Sequence, residues 1–222
     1  MSEKKFLLKE FASFEYNDDE VSKHEEGKPL VLNGILQKAN TLNQNGRVYP
    51  RHILEREIRN YEKLIRENRA FGELDHANEP IVNMKNISHV IREIWMEGDV
   101  VYGKVEILPT PSGKIIEALI SRKCKPGISS RALGSLQREN NVNVVQDDLQ
   151  IICWDFVSEP STPGAFMMAE AKQYDANIVK NIFTKSDLVD RAVNEILSLK
   201  KKWNTMKIQK TEFKAIIKEC LK

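Results

Sequence analysis

Cysteine is scarce: Cys124, Cys153 and Cys220 are the only three in 222 residues, and no paired spacing relates them. That argues against a disulfide framework and fits a reducing compartment. Long apolar runs are missing too, with nothing near the ~18 residues of a membrane span. The opening Met1-Ser2-Glu3-Lys4-Lys5-Phe6 has neither the core nor the cleavage site of a signal peptide, so the chain is expected to act inside a cell. Neither sign of charge dominates. The net charge is +2, which as a whole announces neither nucleic acid nor membrane as a partner. A metal site built from His76, His89, Cys124 and Cys153 lacks any ligand spacing. What is present, 41% hydrophobic and 30% charged residues, belongs to a folded chain able to bury a real core.

Periodicity divides the chain into three. Residues 1–28 read as a flexible charged arm with one short helix near Phe6 to Phe14. Residues 29–169 are rich in strand signals. Strands are expected at Pro29 to Lys38, Ile81 to Met96, Val100 to Leu108, the segment after Pro126, Val142 to Val145 and Leu149 to Val157. Glu97-Gly98-Asp99 should close a hairpin. Between the strands, Arg51 to Asn68 carries apolar residues at helical spacing, and Thr110-Pro111 opens a second helix to about Lys123. Residues 170–222 read as a helical, basic segment, with Ser186 and Thr211 as N-caps. From Ser198 onward eight lysines face two glutamates, a local charge of +6. A solvated helix face explains that charge, and so does a tail that docks on an acidic partner. The fold class is therefore α+β and mainly antiparallel β.

The stretch that points to chemistry is Cys124-Lys125-Pro126-Gly127-Ile128-Ser129-Ser130-Arg131-Ala132-Leu133-Gly134. Pro126 cannot continue a helix, and the two glycines let backbone approach closely on either side of two hydroxyls. Arg131 adds a fixed cation. A serine hydroxyl is a poor nucleophile until a neutral imidazole takes its proton. Of the four histidines, His24 lies in the charged arm and His52 on an exposed helix start. His89 falls inside a strand, where a packed imidazole is the default. His76 sits in a polar loop, Gly72-Glu73-Leu74-Asp75-His76-Ala77, where catalytic groups concentrate. Asp155 places one carboxylate within the apolar strand Ile151-Ile152-Cys153-Trp154-Asp155-Phe156-Val157, where it costs free energy unless partnered. It suits the third member of a triad, and a solvent-facing strand position explains it as well.

Three blocks, in order, resemble the prohead (capsid maturation) serine proteases of myovirus-type tailed bacteriophages. Asn43-Gln44-Asn45-Gly46-Arg47-Val48-Tyr49-Pro50 is similar to that family's Asn-x-Asn-x-Arg-x-Tyr-Pro segment. Gly72 to His76 resembles its histidine block, and Gly127 to Ser135 its nucleophile block, with Ala132 where glycine is usual. The resemblance covers about residues 29–165. It implies a β-barrel-like core related to the herpesvirus assemblins, with surrounding helices and a helical C-terminal tail. It implies catalysis by Ser129, His76 and Asp155, with Ser130 and Arg131 at the oxyanion and substrate pocket. No cofactor and no metal is needed. The implied substrates are phage scaffold or core proteins and the major capsid protein, cut inside the assembling prohead in the host cytoplasm. No membrane or nucleic-acid partner is expected, and a homo-oligomer is left open. Cleavage after Leu/Ile-x-Glu is implied, with self-processing at Leu8-Lys9-Glu10 and Ile217-Lys218-Glu219 and with Arg131 or Arg47 as the cation for the glutamate. The alternative is a non-enzymatic capsid-interior structural or scaffold protein on the same fold, its basic tail binding scaffold or DNA.

Overall fold

Strand β7 (Gly127–Gly134) is buried at all eight positions, and both its edges are paired. On one side lies β1 (Lys5–Ser13), in antiparallel register from Phe6 opposite Gly134 to Ser13 opposite Gly127. On the other lies β10 (Gln150–Val157), which sets Asp155 directly opposite Ser129. A short β11 (Gln173–Tyr174) adds to the far edge of β1. A computed structural model describes residues 5–13, 28–158 and 173–174. The expected C-terminal helices, the basic tail and His24 lie outside the described residues.

A second four-stranded sheet has the order β2 (Val31–Lys38), β6 (Val100–Ile107), β5 (Ile87–Glu97) and β4 (Phe71–Glu73). Its β5–β6 hairpin closes through Gly98-Asp99, with Gly98 at φ 56°, a conformation that glycine adopts without strain. Strand β5 starts at Ile87, later than expected, because Met84–Asn86 forms a 3-10 turn capped by the Asn83 side chain. A third sheet joins β3 (Arg47–Val48), β9 (Val142–Val145) and β8 (Leu136–Glu139). Strand β8 was not foreseen. It turns into β9 through Asn140-Asn141, both at positive φ, as a two-residue hairpin of this hand requires.

Helix α1 (Arg51–Arg66) buries Ile53, Leu54, Ile58 and Tyr61. Tyr61 meets Trp154 of β10 edge to face, with ring centroids 4.8 Å apart. Helix α2 (Pro111–Ser121) starts where Thr110 accepts the Gly113 N–H at 3.0 Å, a cap worth about 1 kcal/mol. The described residues are thus mostly antiparallel sheet with two helices. The expected barrel-like core is corrected: among the described residues the strands form three sheets, none closed on itself. The expected helix near Phe6 to Phe14 is corrected as well. Leu7 and Leu8 are buried, and pairing with β7 overrides the weak local preference of this stretch.

Candidate active site

The nucleophile strand presents alternate side chains to its two faces. Ser129 and Arg131 share one face, and Ser130 points to the other. Across the ladder, Asp155 sits beside Ser129, and directly opposed residues project from the same side. What remains is to bring an imidazole over the pair.

The loop after β4 does this. Gly72 approaches β10 so closely that a Cβ there would collide with the Trp154 carbonyl and the His89 ring. Leu74 bridges to Phe156, and the Asp75 N–H donates to the Phe156 carbonyl at 2.8 Å. Asp75 is left-handed at φ 61°, a conformation that short polar residues tolerate. The sharp turn drops His76 onto β7 and β10.

His76 Nδ1 lies 2.8 Å from Asp155 Oδ2, and its Nε2 lies 2.5 Å from Ser129 Oγ. Burial would push the Asp155 carboxyl up. The His76 hydrogen bond, the Arg131 guanidinium and the Glu73 N–H outweigh it and hold the carboxyl below the ordinary aspartate value. An ionised carboxylate only accepts, so Nδ1 carries the ring proton and Nε2 is free to accept from the Ser129 hydroxyl. The serine is 2% exposed.

Behind the relay stands Arg131, fully buried. Its Nε lies 3.1 Å from Asp155 Oδ2 and its Nη2 3.3 Å from Oδ1. The same Nη2 donates to Glu73 Oε1 at 2.5 Å, and Nη1 donates to the Glu79 carbonyl at 2.8 Å. Glu73 in turn accepts from the Asn83 N–H at 2.9 Å and from Asn86 Nδ2 at 3.3 Å. Both ends of the histidine loop are therefore tied to one guanidinium. Cys153 completes the packing. Burial first, and then the Asp155 charge, push its thiol up, and the neutral Sγ donates to Asp155 Oδ1 at 3.2 Å.

The structure thus brings His76, Ser129 and Asp155 together, with Arg131 against them. The expected place of Ser130 and Arg131 is the oxyanion and substrate pocket. The Arg131 side chain is spent on Glu73, Asp155 and Glu79. The Ser130 hydroxyl is buried on the opposite face with no hydrogen-bond partner among the described residues. The N–H groups of both lie in a strand paired along both edges, where ladder carbonyls compete for them. The other histidine in the core, His89, bonds Ser88 and the Trp154 carbonyl, so it stands apart from His76.

Sequence reasoning missed the role of Glu10. It is buried on the Ser130 face. Asn43 Nδ2 (2.6 Å) and Asn45 Nδ2 (2.7 Å) donate to one carboxylate oxygen, Arg47 Nη1 (2.6 Å) and Tyr49 Oη (2.8 Å) to the other. The first motif block is therefore a clip for β1. Two expectations fall with this. Arg47 is not available to a substrate, and the Glu10–Phe11 bond lies inside a paired strand rather than a flexible arm, so it is not presented for self-cleavage.

The model of the family described as prohead core protein serine protease matches residues 15–176. A prohead core protein protease of Enterobacteria phage T4 is 32% identical over 143 residues, 62% of this chain and 68% of that one. The solved structure of the bacteriophage T4 capsid assembly protease is similar with a TM-score of 0.62 at 27% identity, covering 70% of this chain and 99% of that one. The family match runs through all three motif blocks and every residue of the Ser–His–Asp relay, and on that ground the chain belongs to the prohead core protein serine protease family.

Proposed function

We propose that this prohead maturation protease is a serine endopeptidase in which Ser129 is the nucleophile, His76 the base and then the acid, and Asp155 the group that orients His76. The observation that carries this is the unbroken relay, 2.5 Å from Ser129 Oγ to His76 Nε2 and 2.8 Å from Nδ1 to Asp155 Oδ2. As Oγ attacks the scissile carbonyl carbon, its proton passes to Nε2. Asp155 accepts from Nδ1–H and balances the imidazolium charge. The imidazolium then gives its proton to the leaving amine, and water repeats the sequence on the acyl-enzyme.

The substrates in this reading are scaffold or core proteins and the major capsid protein of an assembling phage head, cut after Leu/Ile-x-Glu. Self-processing is assigned to Ile217-Lys218-Glu219. The finer likeness to assemblins, with histidine before serine and the third member on a later strand, belongs to the same proposal. The decisive experiment compares wild type, Ser129→Ala and Ser130→Ala for peptide cleavage and for labelling by a fluorophosphonate, which reacts only with an activated serine. Wild type and Ser130→Ala should label and cut while Ser129→Ala does neither. A wild type that never labels would favour the non-enzymatic capsid-interior reading.

A further inference from the structure

If this protease selects glutamate, as its proposed function holds, it must neutralise a carboxylate taken out of water. Two guanidinium groups suggest themselves for that task, and both are spent. Arg131 is divided between Asp155 and Glu73, and Arg47 is bonded to Glu10. Neither can turn to a substrate without stranding a buried carboxylate.

The catalytic face holds another cation. In the β1–β7 ladder Phe11 lies opposite Ser129 and Lys9 opposite Arg131. The Lys9 side chain therefore leaves β1 on the Ser129–Arg131 face, one diagonal step from the nucleophile. Glu10, next along, points the other way into its clip. The Lys9 ammonium donates to Asn78 Oδ1 at 3.1 Å, two residues beyond His76. Burial and then the Arg131 charge lower its pKa, with Asp155 opposing. A half-buried ammonium beside a like charge, held by a neutral amide, gains most from a carboxylate partner.

We propose that Lys9 is a specificity-determining residue that binds the carboxylate of the substrate's glutamate over the face of β7, a role that rests on the glutamate preference in the proposed function. The amide of Asn78 holds the ammonium until that carboxylate arrives, which links recognition to the loop that carries His76.

The test uses the full chain and two fluorogenic peptides, Leu-x-Glu and Leu-x-Gln, with intact mass confirming that residues 1–10 are still attached. Wild type should favour the glutamate peptide by about 10–100-fold in kcat/KM, the range of a charge-assisted bond. Lys9→Met, which keeps the aliphatic stem, should bring the ratio to within about threefold of unity, and Lys9→Arg should restore it. If Lys9→Met fails to fold by circular dichroism, Lys9→Gln serves in its place. A preference that survives loss of the ammonium overturns the role of Lys9 alone. Equal cutting of both peptides by wild type overturns the glutamate preference, and Lys9's role with it.

Discussion

Acid should loosen this protein through His89 before it reaches the Asp155 carboxyl. The ring is fully buried. Its Nε2–H donates to the Trp154 carbonyl at 3.0 Å, and its Nδ1 accepts from the Ser88 hydroxyl at 2.9 Å. Phe156 packs against it at 4.6 Å between centroids. Both nitrogens are thus used by the neutral ring. Burial lowers its pKa from 6.5 to about 4, against the opposing pull of Asp155 and of the Trp154 bond. A histidine depressed in the folded state leaves the unfolded chain to bind the proton first. The stability in question is therefore full above about pH 6.5 and is lost as the pH falls toward 4. At ~1.4 kcal/mol per unit the whole loss is about 3 kcal/mol, and roughly 2–3 kcal/mol of it has gone by pH 4.5. Asp155, held below its usual value of 3.8, titrates outside this window. Urea midpoints at pH 7 and pH 4.5, measured at one ionic strength, should lie well apart for wild type. They should lie much closer together for His89→Gln, whose amide still has a donor for the Trp154 carbonyl. Parallel losses in the two proteins would refute the reasoning.

Asp155→Asn should fold and lose about 10⁴-fold in kcat, because an amide favours the wrong imidazole tautomer; near-normal turnover in a folded protein removes Asp155 from the relay. Glu10→Gln should lower stability by about 3 kcal/mol, since Arg47 would keep its charge in the clip without a counter-ion. A urea midpoint equal to wild type would contradict the clip's contribution to holding β1.

Much of the site could be read because its residues announce themselves locally. Ser129 follows a Pro-Gly break, His76 sits in a polar loop, and Asp155 is one carboxylate in an apolar strand. Their convergence depends on the register that sets Asp155 opposite Ser129, and before the structure only the family resemblance joined them. Register decides the rest as well. Nothing local tells that Arg131 faces Asp155 rather than an oxyanion, because that depends on Cys153 lying opposite Arg131 after a bulge in β10 between Ile151 and Cys153. Strand β1 was hidden for a similar reason. Its inward Glu10 breaks the apolar alternation that marks a strand, and the four donors that make that carboxylate acceptable lie more than thirty residues away. Strand β8 was obscured by its polar, exposed residues. The barrel-like core was an expectation of kinship, and no pattern in the chain could test closure.

Strand β7 separates two buried polar clusters, and their charge balance differs in a way that suits the chemistry. On the Ser130 face, Arg47 meets one carboxylate, Glu10, and the neutral donors Asn43, Asn45 and Tyr49 fill its remaining lone pairs. That cluster is neutral, as a structural anchor should be. On the Ser129 face, Arg131 meets two carboxylates, Glu73 and Asp155. Among these three groups one negative charge is left over; the Lys9 ammonium on the same face offsets part of it from its bond to Asn78, and the partner of Asp155 that can gain a proton is the His76 imidazole. While the imidazole is neutral that charge is only partly compensated. When Nε2 takes the serine proton, the imidazolium completes the balance at the moment the transition state forms. A stabilisation stronger in the transition state than in the ground state is what accelerates a reaction. The same strand therefore carries one ion pair that is satisfied at rest, and one cluster whose Asp155 gains a charged partner in His76 only as Ser129 reacts.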